Sequence, residues 1–124
     1  MRSLVLDELT PREAAAAQAY LKAQAEISGV EGLYWLMLPR ELWESRQIKA
    51  QQSGEAQAYR LAVEAGPEWV RFELLIRSET LANHGGAQAT AGQALYILDW
   101  ADRMARELGF LTCADTDPYG SACP

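Results

Sequence analysis

Histidine and cysteine are both scarce in this chain, which has one His and two Cys among its 124 residues. A zinc centre built from several imidazoles is therefore excluded within one subunit. The single histidine, His84, lies between an asparagine and two glycines, a setting typical of an exposed loop. We interpret it as an ordinary surface residue, with a general base as the alternative.

Both cysteines, Cys113 and Cys123, lie in the last dozen residues, beyond the final convincing helix. We expect free thiols on a weakly ordered tail over 111–124, because two cysteines at one end of a chain cannot form a disulfide framework for the fold. The alternative is a zinc site formed by His84, both cysteines and an oxygen from Asp115 or Asp117. That spacing matches no common ligand pattern, so we predict neither a metal nor a cofactor.

Long apolar runs and basic stripes are also missing. The longest apolar stretch, 33–38, is far shorter than the ~20 residues that a membrane span requires. The apolar start of the chain ends at Asp7 and Glu8, well short of a signal-peptide core, so we expect a soluble cytoplasmic protein. The net charge of -6 is spread along the chain, which disfavours a nucleic-acid partner.

Local catalytic motifs are absent as well. The chain has no glycine-rich nucleotide loop, no Gly-Lys-Ser/Thr, no paired CxxC, no HExxH and no GxSxG. Their absence lowers the expectation of an enzyme without excluding one, because many active sites are assembled from scattered residues.

Two helix starts are present as capping boxes. The segment 10–13, Thr-Pro-Arg-Glu, predicts a helix that ends near Gly29. The segment 90–93, Thr-Ala-Gly-Gln, predicts a second helix that reaches about Leu108 and is closed by a glycine.

The middle of the chain predicts two further helices. Pro39 followed by glutamates in the first turns favours a helix over 39–51. The segment 55–65 is ambiguous, because its apolar residues alternate as in a strand while its composition favours a helix. The Gly-Pro pair at 66–67 is typical of a helix end, so we predict a helix there.

Two segments predict strands. The segment 31–38 is apolar on both alternating faces and ends at a proline, which indicates a central strand covered on two sides. The segment 69–77 alternates apolar and charged residues, as a half-buried strand does. A third strand over 81–88 competes with an exposed turn.

These elements predict a single α+β domain over 1–110, followed by the tail over 111–124. We expect two layers, with about four helices packed on a two- to three-stranded sheet. The order would be helix, strand, helix, helix, strand, the uncertain third strand, and helix. A mostly α fold is the alternative.

Charged residues on the 69–77 strand are the first candidate site. Arg71, Glu73 and Arg77 share one face, where two guanidinium groups could hold a carboxylate or phosphate, with His84 nearby. The competing interpretation is a solvated sheet face with ion pairs between strands.

A surplus of large apolar residues is the second candidate site. The helix from 91 carries two apolar stripes, more than a surface helix needs. We name five residues as a predicted interface: Tyr34, Trp35, Trp43, Trp100 and Met104. The expected function is a non-enzymatic interaction or regulatory module that self-associates as a homodimer or larger, and the alternative is a protein or enzyme that binds a small anionic ligand.

Overall fold

An antiparallel sheet with helices on one side forms the part of the chain that this computed structural model describes, residues 2–78 and 86–110. The elements in chain order are β1 (Ser3–Leu6), α1 (Pro11–Gln24), β2 (Glu26–Ile27), β3 (Leu33–Met37), a 3₁₀-helix (Arg40–Leu42), α2 (Ser45–Gln52), β4 (Tyr59–Ala65), β5 (Val70–Glu73), β6 (Leu75–Ser78), β7 (Ala87–Gln88) and α3 (Ala91–Glu107).

The strand order across the sheet is β1-β5-β4-β3-β2, and every pairing is antiparallel. After Leu74, β6 continues the line of β5 and pairs with the other end of β4. The short β7 pairs with the edge of β6 that faces away from β4, just as β1 pairs with the edge of β5 that faces away from β4. The longest strand, β4, is therefore the centre of the sheet.

One face of the sheet carries the core. Alternate strand residues are buried there, among them Leu61 and Val63 of β4 and Phe72 of β5. Leu21 of α1 and Ile97 of α3 are fully buried and belong to the same cluster. Each such side chain contributes roughly 1.5–3 kcal/mol when removed from water. Packing against this face is what holds the helices on the sheet.

Both predicted helix starts are confirmed. Thr10 Oγ1 accepts a hydrogen bond from the Glu13 amide at 3.1 Å, and Thr90 Oγ1 accepts one from the Gln93 amide at 3.1 Å. Helix α1 ends at Gln24 rather than near Gly29, because Ala25 is extended (φ -116°, ψ 175°) and the next two residues join the sheet as β2.

The predicted balance of elements is wrong. The described residues contain three α-helices and seven strands, a sheet-rich α+β fold and neither four helices on two or three strands nor a mostly α fold. The segment 55–65, predicted as a helix, contains the central strand β4. The segment 39–51, predicted as one helix, contains a 3₁₀-helix and all but the last residue of α2, separated by Trp43 and Glu44 in extended conformation. The edge strands β1 and β2 were not predicted.

Gly66 explains the error at β4. Its amide donates to the Trp69 carbonyl at 2.8 Å, so the glycine lies in the hairpin turn between β4 and β5 and does not end a helix. A Cβ at this position would collide with the Trp69 indole. Glycine is required here because an aromatic ring covers the backbone, and this reason is invisible in a local pattern.

The two predicted strands are confirmed, with one correction. The segment 69–77 forms β5 and β6, and the segment 31–38 contains β3. In β3, Tyr34 and Leu36 are buried but Leu33, Trp35 and Met37 are only half-buried, so the expected cover on both faces is not supplied by the described helices. Of the segment 81–88, the structure describes 86–88, where β7 lies.

Candidate functional site

The sheet face opposite the core is the candidate site, and we call it the open face. None of its β3 residues belongs to the core cluster, and the described helices pack against the other side. The open face spans the five strands from β1 to β2 and consists of Ser3 and Val5 of β1, Glu26 of β2, Leu33, Trp35 and Met37 of β3, Arg60, Ala62 and Glu64 of β4, and Arg71, Glu73 and Arg77 of β5 and β6.

Trp35 lies in the middle row of the open face, between Glu26 of β2 and Ala62 of β4. Ala62 is small and buried, which leaves room for the indole to lie on the sheet. The guanidinium carbon of Arg60 is 3.9 Å from the centroid of the Trp35 ring. This cation–π contact covers part of the aromatic surface and restricts the arginine to one orientation.

An ion pair joins β4 and β5 at one end of the open face. Glu64 and Arg71 are directly opposite each other in the register, and Glu64 Oε1 accepts from Arg71 Nη2. About two-fifths of each side chain is exposed, 42% for Glu64 and 39% for Arg71. Water therefore screens the pair, and it contributes at most ~1 kcal/mol to stability.

A second ion pair depends on a bulge in the strand. Arg77 Nε donates to Glu73 Oε2 at 3.3 Å, although residues four apart on a regular strand are separated by ~13 Å. Val63 pairs with Phe72 and Arg60 pairs with Arg77, so three steps along β4 match five along β5 and β6. The extra two residues fold the chain back and bring the pair together.

Arg60 and Arg77 are also direct register partners, which places two like charges side by side. Such a pair is unfavourable unless other groups compensate for it. The indole of Trp35 faces the first guanidinium and the carboxylate of Glu73, only 13% exposed, faces the second.

A depression of about 410 Å³ lies on the open face, and its lining includes Trp35 with the side chains of Glu31, Glu64, Glu73 and Arg77. Three carboxylates and one guanidinium give this lining a net negative charge. The predicted ligand-binding residues Arg71 and Arg77 each hold a carboxylate of their own chain. Their geometry therefore gives little support to an anionic ligand.

The structure brings together three of the four predicted ligand-binding residues, Arg71, Glu73 and Arg77, on one face. The fourth, His84, lies outside the described residues, as do both cysteines and the other members of the zinc alternative. Among residues 2–78 and 86–110, no three acidic, cysteine or histidine side chains are close enough together to hold a metal ion.

The predicted interface residues are divided between the two sides of the sheet. Tyr34, Trp100 and Met104 are buried in the core of the chain itself. Trp43 is half-buried, donates from Nε1 to the Leu38 carbonyl at 3.1 Å and packs edge-on against a core tyrosine. Trp35 alone of the five lies on the open face. Neighbouring strand residues point to opposite faces, which separates it from Tyr34.

Arg60 and Glu64 were missed because the segment 55–65 was predicted as a helix. In β4 they alternate with the buried Leu61 and Val63, which is the period of a half-buried strand. The strand interpretation of that segment, which the alternation itself indicates, would have placed both residues on one face of the strand, and the register with β3 shows that this face also carries Trp35.

Three tyrosines with raised pKa values lie in the core or helix layer and not on the open face. Burial raises the pKa of Tyr20 to about 12, and a hydrogen bond to the Glu107 carboxylate together with its negative charge adds to the shift. Burial is also the main cause that raises the pKa values of Tyr59 and Tyr96.

Comparisons of this chain with models of protein families, with curated proteins and with solved structures find no match. Within the described residues, every helix is too short or too polar to cross a bilayer.

Proposed function

We propose that this chain is a non-enzymatic interaction module that self-associates through the open face of its sheet. The observation that carries the proposal is Trp35, a large aromatic residue in the middle row of a sheet face that no described helix covers. Antiparallel sheets commonly leave one face to water, but that face is then polar. An indole flanked by Leu33 and Met37 is the composition of a contact surface.

The residue types of the open face support protein contact over catalysis. Tryptophan and arginine are the residues most enriched among those that dominate binding energy. Trp35 and Arg60 are already in contact, so little conformational entropy is lost when a partner covers them. Paired charges around them match the polar rim of an interface.

The size of the open face indicates a weak complex. With strands ~4.8 Å apart and a rise of ~3.4 Å per residue, the face measures roughly 20 by 17 Å, or about 350 Å² before side-chain relief is counted. Two such faces bury less than the ~1,200 Å² at which standard interfaces begin. We therefore expect a reversible dimer with a dissociation constant in the micromolar range or weaker.

Sedimentation velocity over a concentration series up to the high micromolar range tests this proposal. We expect the wild type to shift from monomer to dimer, and Trp35→Thr, which keeps strand propensity, to weaken dimerisation about 30-fold, as loss of ~2 kcal/mol implies. Leu95→Thr is the matched control, since Leu95 is 59% exposed on α3 in the helix layer.

A wild type that stays monomeric at the highest concentration would contradict the proposal. Equal weakening by Leu95→Thr, or no weakening by Trp35→Thr, would move the contact to another surface. Circular dichroism of each variant shows whether the fold is retained.

A further inference from the structure

The outer edge of β1 directs backbone hydrogen-bonding groups away from the sheet. The Leu74 amide donates to the Arg2 carbonyl at 3.0 Å, so the backbone groups of Arg2 face the strand that contains β5. Along an antiparallel strand these groups alternate in direction, so those of Leu4 also face β5 while those of Ser3 and Val5 face outward. Both outward residues can therefore pair with a further strand.

The two outer edges of the order β1-β5-β4-β3-β2 differ in how well they are protected. The β1 edge, Ser3–Leu6, has four residues without a charge or a proline, and Val5 is 44% exposed. The β2 edge has two residues, of which Glu26 is charged. Proteins commonly protect sheet edges with short strands and charged side chains. Since β1 is longer and uncharged, it is the edge that is better suited to accept a strand.

A depression of about 350 Å³ lies beside the end of β1 on the helix side of the sheet. Its apolar lining includes Leu6, Leu9, Ala105 of α3 and Phe110, which follows α3. Leu6 packs against the core cluster, so its side chain points to the helix side. A strand added to β1 would point every second side chain to the same side. The side chain opposite Leu6 would then enter this depression.

The same depression is acidic. Its lining includes Asp7, Glu8 and Glu13 and contains no lysine or arginine. Arg2 lies at the opposite end of β1, and its hydrogen bonds go to uncharged groups of the segment before α3. The edge is therefore acidic at its carboxyl end and basic at its amino end. This difference gives an added strand of unequal charge a preferred direction.

We propose that the β1 edge binds an extended peptide segment of a partner protein, which joins the sheet antiparallel to β1. The segment has apolar residues at alternate positions, which lie beside Leu4 and Leu6, and basic residues before them, which lie near Asp7 and Glu8. Antiparallel pairing is the arrangement of the strand pairs in the described sheet and is slightly more stable than parallel pairing. In strand addition of this kind, backbone hydrogen bonds supply affinity and side-chain pockets supply specificity.

Two synthetic peptides of equal composition test the site and its direction. In acetyl-Lys-Thr-Lys-Thr-Leu-Thr-Leu-Thr-amide, antiparallel pairing places the leucines beside Leu4 and Leu6 and a lysine near Glu8. The reversed sequence places its lysines at the end where Arg2 lies. In NMR titrations up to millimolar peptide, we expect the reversed peptide to bind at least ~10-fold more weakly. The first peptide should shift the amide signals of Ser3 and Val5 and slow their hydrogen exchange.

A proline variant separates the backbone contribution from the side chain. Val5→Pro removes an outward amide and leaves the hydrogen bonds to β5 in place, so we expect it to bind the first peptide at least ~10-fold more weakly. Val5→Thr keeps the amide and the strand propensity, and should bind within ~3-fold of the wild type. If Val5→Pro loses its circular dichroism signal, Ser3→Pro replaces it, because the Ser3 amide also faces outward.

A charge variant tests the acidic end of the edge. We expect Asp7→Asn combined with Glu8→Gln to weaken binding of the first peptide about 10-fold. Asp99→Asn combined with Glu26→Gln is the matched control, since it removes the same charge at exposed positions away from β1. The control should bind within ~3-fold of the wild type.

Equal binding of the two peptides, or equal binding by the proline and threonine variants, would overturn the peptide site. If Val5→Pro abolishes a dimer that forms without peptide while Val5→Thr keeps it, the occupant of the edge is a second copy and not a partner segment. Trp35 lies three strands away from β1, so Trp35→Thr should bind the first peptide within ~3-fold of the wild type. Peptide binding and self-association through the open face can therefore fail separately.

Discussion

Two buried glutamines, Gln47 of α2 and Gln93 of α3, connect these two helices through individual side-chain hydrogen bonds. Gln93 Nε2 donates to the Leu42 carbonyl at 2.8 Å and to Gln47 Oε1 at 3.1 Å, while its Oε1 accepts from the Thr90 amide at 3.0 Å. Gln47 Oε1 also accepts from the Glu44 amide at 2.8 Å. These amides link α3 to α2 and to the turn before it.

We expect Gln93→Leu to lower the free energy of unfolding by about 1–3 kcal/mol, because it leaves the buried partners of the amide unpaired. Urea unfolding followed by circular dichroism measures the change. Gln52→Leu, at an exposed position of α2, is the control and should change stability by less than ~0.5 kcal/mol. Equal effects of the two substitutions would show that the buried amide is not important for stability.

The phenol of Tyr20 makes stability depend on pH in the alkaline range. Its pKa in the folded chain is about 12, above the value of 10.0 for a free phenol, so the native state holds this proton more tightly. The stabilisation is fully present below pH 10 and is lost as the pH rises from 10 through 12. We expect Tyr20→Phe to flatten the fall in urea midpoint over that window, and parallel curves would contradict this.

At the scale of elements, the confirmed predictions are those that rest on local chemistry. Both capping boxes were found, since a threonine oxygen and the amide three residues later are close together whatever the rest of the chain does. The clean alternation over 69–77 was found for a similar reason. The bulge between β5 and β6 was not predictable, because it is defined by the register with β4.

The segment 55–65 shows why local signals were not sufficient for the rest. Its composition and the Gly-Pro pair agree with a helix end, yet Gly66 serves the packing of Trp69 in a hairpin. Only the identity of the neighbouring strands decides between the two, and that is a long-range property. Because the segment was predicted as a helix, Arg60 and Glu64 were left out of the predicted site.

Two glycine substitutions should change the free energy of unfolding in opposite directions. Gly66→Ala should lower the free energy of unfolding by about 1–3 kcal/mol, since the new methyl group overlaps the Trp69 indole. Gly92→Ala should raise it by up to ~1 kcal/mol, because this residue lies in α3 with no atom near the added Cβ. Thermal unfolding of both variants in parallel checks the signs, and two shifts in the same direction would contradict the packing argument.

At the scale of the whole molecule, the described helices pack against one side of the sheet and leave the other side without helical cover. The net charge of -6 opposes association at long range, while the open face contains charges of both signs at short range. Sequence patterns identified Arg71, Glu73 and Arg77 as neighbours. They could not show that Trp35 lies on the same face, with β4 between it and these residues, or that α1 and α3 pack against the opposite face.

Self-association should also be visible in thermal stability. A dimer that forms only from folded chains raises the apparent Tm as protein concentration increases. We expect the wild-type Tm to rise across a 100-fold concentration range, and the Tm of Trp35→Thr to stay constant. Differential scanning calorimetry at several concentrations measures this, and a rise of equal size in both proteins would contradict a role for Trp35.

The bulge between β5 and β6 restricts the insertions and deletions that this segment can accept. It adds two residues, an even number, so Arg77 returns to the same face as Glu73 and Ile76 remains in the core. Removing one residue at Leu74 or Leu75 would turn the core-facing side chains of β6 to the open face and turn its other side chains into the core. Insertions and deletions in this segment are therefore compatible with the fold only in pairs.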